Sequence, residues 1–168
     1  EFDFGDAPDT NGQTAGDTGA RHMITEDGDP KNGPYLGTVP PDIETDGQPS
    51  STALLDDNTD QDDEDGLTSP VNPSEDWSQG GEIEVRVSGV SGNACVHAWV
   101  DWDNDGFGAN DSYSQLTVSS NGSKTMAFAD DANMPDYEAF PDSAYLRLRV
   151  LSCECAALDP TGQASDGE

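Results

Sequence analysis

The chain has 168 residues, enough for one domain, and carries 35 Asp and Glu against 6 Lys and Arg, giving a formal net charge of −29. A field of that sign repels nucleic acid and anionic membrane surfaces, and it attracts metal cations or basic partners. We therefore predict no nucleic-acid partner. No apolar run reaches the length of a transmembrane helix, so we also predict no membrane insertion.

Residues 1–80 have the composition of a loop-rich acidic segment. Eight of the 11 prolines lie here, within turn-forming sequences such as "DGDPKNGP" and "VPPD". Such sequences interrupt helices and favour turns. We predict that this half forms loops with a few short strands, binds calcium, and wraps over the rest of the chain as part of one compact unit.

The densest acidic cluster in this half is "DDNTDQDDEDG", residues 56–66. A charge run is usually solvated, but this one lies in mid-chain next to a candidate strand, which favours calcium binding. The candidate ligands in the cluster are Asp57, Asp60, Asp62 and Asp65. Weaker candidates elsewhere are Asp6, Glu44 and Asp46, whose turn sequences explain them equally well.

From residue 82 the apolar residues recur at every second position. Ile83, Val85 and Val87 alternate with charged residues in "EIEVRVSGV". The same alternation places Leu146, Leu148 and Val150 on one strand face with arginines opposite, whereas "CVHAWV" is apolar on both faces. These patterns predict β-strands, the last of them central in its sheet.

The strands are short and separated by turn sequences. Asn121-Gly122 in "QLTVSSNGSKTMAF" predicts a hairpin with a type I′ turn. Such a series indicates an all-β domain, an antiparallel β-sandwich of immunoglobulin-like or jelly-roll-like type over residues 81–168.

The stretch "DWDNDGFGAND" follows the strand predicted at "CVHAWV". It places Asp101, Asp103 and Asp105 at alternate positions before Gly106. Calcium takes six to eight oxygens, and a D-x-D-x-D-G loop supplies several from one side. The Phe107 carbonyl is the next candidate ligand. A helical calcium loop would carry Glu where Ser112 stands, so we predict a loop between strands that Asp111 closes. The alternative is an acidic surface turn.

A series of motifs resembles a known family. "DFGDAPDT", "ARH", "YLGTVPPDIETDGQPS" and "ALLDDNTDQDDEDGL" occur in that order, followed by "AWVDWDNDGFG", "LRLRV" and "DPTGQASDGE". Together they resemble the recurrent N-terminal module and the GEVED-type β-sandwich domain of large bacterial secreted and surface proteins. The closing Val-Glu-Asp-Tyr of that family is absent, which suggests that a neighbouring copy completes the last sheet edge by strand addition.

The resemblance implies an extracellular, calcium-dependent module at the bacterial cell surface, a repeat or subunit of an adhesin or surface fibre. Its expected partners are calcium, roughly two to four ions, and copies of itself or neighbouring repeats. The alternative is a module that binds a surface glycan or another polymer and is attached to a secreted enzyme. Exposed Trp77, Trp99 and Trp102 would form its stacking platform.

Cysteines and histidines add two smaller predictions. A disulfide between Cys95 and Cys153 is plausible for a secreted chain, with Cys155 as an alternative partner. We expect His97 to be packed within its strand, and His22 to tie a loop to a carboxylate. No nucleophile motif is present, so we predict that the module is not an enzyme.

Overall fold

The computed structural model describes residues 2–5, 7, 19–24, 33–53, 66–69, 77, 79–130, 134, 144–152 and 158–167. Within these ranges the chain is all-β without helices, as the sequence predicts. The strands are β1 (Phe2–Phe4), β2 (Arg21–Met23), β3 (Tyr35–Leu36), β4 (Leu67–Ser69), β5 (Gly81–Ser88), β6 (Ala94–Asp101), β7 (Ser112–Val118), β8 (Gly122–Phe128), β9 (Tyr145–Ser152) and β10 (Gln163–Ala164).

Two antiparallel sheets contain the long strands. In the four-stranded sheet β5 pairs with β8 over residues 81–87, and it also pairs with the short strands β3 and β4. In the second, which we call the central sheet, β6 lies between β7 and β9. Because β3 and β4 pair with β5, residues from both predicted parts of the chain share one sheet.

The hydrophobic core lies between these two sheets. Ile83, Val85 and Val87 of β5 are at most 2 % exposed, and they share a cluster with Val96 and Val100 of β6. Burying a side chain of this size stabilises the fold by about 1.5–3 kcal/mol. The alternation predicted for β5 is confirmed, and the arrangement is consistent with a β-sandwich.

The second face of the central sheet is also covered. A small sheet, which we call the outer sheet, contains β2 between β1, antiparallel to it, and β10, parallel to it. His97, Trp99 and Arg149 lie on the covered face and are at most 4 % exposed. This explains why every residue of β6 is buried, as the apolar run on both of its faces predicts.

One arginine joins the outer sheet to the central sheet. All five N–H donors of the buried Arg149 are used. Its Nε donates to His22 Nε2 at 2.8 Å. Its Nη atoms donate to backbone carbonyls on either side, those of Arg21, Asp159, Thr161 and Gly162. Arg149 therefore fastens β2 and the segment before β10 onto β9.

The expected partner of His22 was a carboxylate, and the structure corrects this. His22 Nδ1 lies 2.7 Å from the backbone carbonyl of Asp166, while its Nε2 accepts from Arg149. The ring is thus neutral, with its proton on Nδ1. Burial lowers the pKa of His22 well below 6.5, and the neighbouring Arg149 lowers it further.

This arrangement predicts a loss of stability in weak acid. The unfolded chain protonates His22 below its ordinary pKa of about 6.5, whereas the folded chain does not, so stability falls as the pH drops below that value. We expect the wild-type free energy of unfolding to fall by up to ~1.4 kcal/mol per pH unit relative to His22→Gln. Urea unfolding of both proteins from pH 8 to pH 5 measures this, and parallel pH profiles would refute it.

The predicted hairpin at Asn121-Gly122 is wrong. β7 pairs with β6 and β8 pairs with β5, so the turn at residues 119–121 carries the chain from the central sheet to the four-stranded sheet. Gly122 has a positive φ of 112° but Asn121 does not, which excludes a type I′ turn. Instead, Asn121 Oδ1 accepts from the Val90 amide at 2.8 Å.

In the part of the chain that is described, no helix is long and apolar enough to cross a membrane.

Candidate metal site

The acidic loop of residues 102–111 joins β6 to β7, which are neighbours in the central sheet. Asp101, the last residue of β6, is fully buried, whereas Asp103 and Asp105 are exposed. Asn104 and Gly106 have positive φ angles of 59° and 109°. Asparagine and glycine tolerate this conformation best, so the sequence permits the tight curl that brings alternate side chains together.

The structure brings the three predicted aspartates into one group. Asp101, Asp103 and Asp105 each offer a carboxylate oxygen, and these oxygens lie within 4.8 Å of one another. Calcium–oxygen distances of roughly 2.3–2.6 Å place opposed ligands of one ion about 5 Å apart. The spacing therefore suits a single divalent cation, and the all-oxygen donors suit a hard ion such as Ca²⁺ or Mg²⁺.

Backbone hydrogen bonds hold the buried carboxylate in place. Asp101 Oδ1 accepts from the Asn104 amide at 2.7 Å, and its Oδ2 accepts from the Gly106 amide at 3.1 Å. Both oxygens thus point into the loop, and the loop is organised around this one side chain. Such prior organisation reduces the ordering that a metal would otherwise have to impose.

A residue that the sequence did not single out as a ligand lies against two of these aspartates. Asn110 Nδ2 donates to Asp103 Oδ2 at 3.3 Å and lies 3.5 Å from Asp105 Oδ1. Its carboxamide therefore sits between two exposed carboxylates and offsets part of their repulsion. An asparagine carbonyl is also an ordinary calcium ligand. Its position in the same loop, four residues after the D-x-D-x-D-G motif, was the available signal.

Asp111 lies next to the three aspartates and is buried, with an exposed fraction of 5 %. Its Oδ2 accepts from the Gly108 amide. The pKa of Asp111 is raised to about 6, mainly by burial and also by the charges of Asp101, Asp103 and Asp105, while the hydrogen bond from the Gly108 amide opposes the rise. The group in which all ligand oxygens lie within 4.8 Å does not include it, so its closing role stays a prediction.

The charged form of Asp101 is also disfavoured. Burial raises its pKa, the amides of Gly106 and Asn104 oppose that rise, and the charge of Asp103 adds to it. Carboxylates whose charged forms are disfavoured in this way gain most from a cation among them.

Phe107, whose carbonyl is a predicted ligand, is buried, and the guanidinium of Arg147 lies 4.3 Å from its ring centroid.

The other predicted ligands are not brought into such a group in the described ranges. Glu44 accepts from the Phe4 amide at 2.8 Å and fastens β1 to the neighbouring loop. Asp46 accepts from the next amide, that of Gly47, at 3.0 Å. Five predicted ligands lie outside the described residues: Asp6, Asp57, Asp60, Asp62 and Asp65.

The tryptophans are not exposed, contrary to the glycan hypothesis. Trp77, Trp99 and Trp102 are 1 %, 4 % and 9 % exposed, and Trp77 packs edge-on against Trp102 in the core.

His97 is fully buried, as expected, and its Nδ1 is hydrogen-bonded to the Tyr113 hydroxyl at 2.8 Å. Cys153 and Cys155 lie outside the described residues, so the pairing of Cys95 stays a prediction.

Fold and site together define an all-β protein in which a strand-end acidic loop can hold a metal ion. No family model matches the chain, and no curated protein or solved structure matches it. The resemblance to the GEVED-type module therefore rests on the sequence motifs alone.

Proposed function

We propose that the chain is a calcium-stabilised extracellular module with a structural or adhesive role, a repeat or subunit of a bacterial cell-surface fibre or adhesin. The observation that carries the calcium part is the group of Asp101, Asp103 and Asp105, whose oxygens lie within 4.8 Å of one another. The surface location rests on the motif series that resembles the GEVED-type module. The proposed role is not catalytic.

The physical effect of calcium follows from where the loop lies. Asp101 ends β6 and Asp111 immediately precedes β7, so an ion between them would clamp two paired strands of the central sheet. Without an ion, like charges about 4 Å apart repel by roughly 1 kcal/mol per pair even in water. Calcium removes this repulsion and adds bonds that exist only in the folded loop, which stabilises the fold.

A module of a fibre or adhesin has to resist force, and this provides a direct test. We expect tandem copies stretched by single-molecule force spectroscopy to unfold at higher force in calcium than in a chelator. The physical reason is that the clamped loop resists separation of β6 and β7. Asp105→Asn should remove the calcium effect, and Glu82→Gln, an equal charge change on the exposed face of β5, should keep it. Equal unfolding forces with and without calcium would contradict the proposed role.

A further inference from the structure

A groove of about 400 Å³ lies beside the metal loop. Its lining includes Phe107, Gly108 and Ala109 of the loop and residues 158–161. Trp99 of β6 and Tyr113 of β7 complete the lining. The volume is within the range of roughly 300–1,000 Å³ that is usual for ligand sites. As the described residues form it, the groove is open to a ligand.

Three of the nine lining residues are aromatic. The rings of Trp99 and Tyr113 lie with centroids 5.3 Å apart, and Tyr113 is 40 % exposed. Phe107 supplies a third ring, on which the protein already stacks the guanidinium of Arg147 at 4.3 Å. Aromatic faces attract cations, and the planar guanidinium of arginine also stacks on them. Trp99 and Phe107 are at most 9 % exposed, so Tyr113 offers the exposed ring surface suited to a cationic, planar group.

The net charge of the whole protein has the matching sign. The chain has a net charge of −29, and the groove lining includes the exposed Asp159. The two arginines beneath the groove are buried and engaged: Arg147 donates to the Pro160 carbonyl at 2.8 Å, and Arg149 uses all its donors. Burial and the charge of Arg149 lower the pKa of Arg147 to about 9, and the negative charge of Asp101 opposes this fall.

We propose that this groove binds an arginine side chain of a basic partner protein. The guanidinium would stack against Tyr113, whose ring packs on the buried Trp99, and the Asp159 carboxylate would accept charge-assisted hydrogen bonds from it. The proposal adds a partner class to the proposed adhesive role. It rests on that role for its biological meaning but on the groove for its chemistry.

The test uses a short peptide and its neutral counterpart. Acetyl-Gly-Gly-Arg-Gly-Gly-amide is titrated into ¹⁵N-labelled protein at physiological salt, in calcium, and compared with the same peptide carrying citrulline in place of arginine. We expect the amide signals of Gly108, Ala109 and Thr161 to shift with arginine, and citrulline to bind at least about fivefold more weakly. Equal affinity for the two peptides, or shifts elsewhere only, would overturn the proposal.

Variants of the lining separate local recognition from the general attraction of an acidic protein. Tyr113→Leu leaves the net charge unchanged and should weaken arginine binding about fivefold, whereas Tyr113→Phe keeps the ring and should bind as the wild type does. The same spectra show whether Tyr113→Leu is folded. If it is not, Asp159→Asn still tests the proposal, because it should also weaken arginine binding. Wild-type affinity in the folded variants that lack the ring or the carboxylate would contradict the assignment.

Calcium titration of the same samples distinguishes the two proposals. Calcium binding without arginine binding at the groove contradicts this inference and leaves the metal site standing. Arginine binding without calcium binding supports the groove and contradicts the calcium-dependent function.

Discussion

Replacing Arg149 with methionine is expected to lower the free energy of unfolding by about 3–5 kcal/mol. Methionine fills much of the same space but cannot donate, so His22 and four backbone carbonyls lose the hydrogen bonds that Arg149 gives them. Buried acceptors left without a donor cost roughly 1–3 kcal/mol each before water or local rearrangement compensates. For a domain with a stability of about 5–15 kcal/mol, this is a large share.

Urea unfolding at fixed calcium and pH 7.5 measures the effect of this substitution. Arg86→Met is the matched control, because Arg86 is exposed on β5 and a surface change of this kind usually alters stability by no more than about 0.5 kcal/mol. Hydrogen exchange should also accelerate in β1, β2 and β10 before it does in β5 and β6, since Arg149 fastens the outer sheet. A loss below about 1 kcal/mol would show that this clamp contributes little.

Saturating calcium is expected to raise the melting temperature by roughly 5–10 °C over the value in excess chelator. An ion present at a hundred times its dissociation constant stabilises a folded protein by about 2.7 kcal/mol. In a chain of this length, 1 kcal/mol corresponds to about 2–4 °C. Differential scanning calorimetry at pH 7.5, where Asp111 with its pKa of about 6 is mostly charged, measures the shift.

Two substitutions show whether this gain comes from the acidic loop. Asp105→Asn removes one of the three grouped carboxylates from an exposed position, so the metal-free protein should fold and the calcium gain should shrink sharply. Glu82→Gln makes the same charge change on the exposed face of β5 and should retain the full gain. A gain that survives in Asp105→Asn would place the stabilising ion elsewhere.

The sequence predicted those features of the molecule that depend on local spacing. Ile83, Val85 and Val87 are buried because alternate residues of a strand share one face, and this holds whichever strand lies beside them. Asp101, Asp103 and Asp105 meet because they are close in sequence on a tightly curled loop. Both predictions required only a few consecutive residues.

Features that depend on distant parts of the chain were not predictable in this way. The outer sheet joins strands of two or three residues from both ends of the chain, too short to show any periodicity. The positions of Arg147 and Arg149 in β9 indicated the strand face opposite the core. The outer sheet is present on that face, and both arginines are buried. Asn121-Gly122 favours a hairpin locally, but the core assigns the two flanking strands to different sheets.

The most direct test of the metal site is a calorimetric titration of calcium into metal-stripped protein at pH 7.5, with Asp105→Asn and Glu82→Gln measured alongside. We expect saturable binding to the wild type and to Glu82→Gln, and a tenfold or greater loss of affinity at one site in Asp105→Asn, which corresponds to about 1.4 kcal/mol. Absence of binding to the wild type, or unchanged binding to Asp105→Asn, would contradict the assignment of residues 101–111 as a calcium loop.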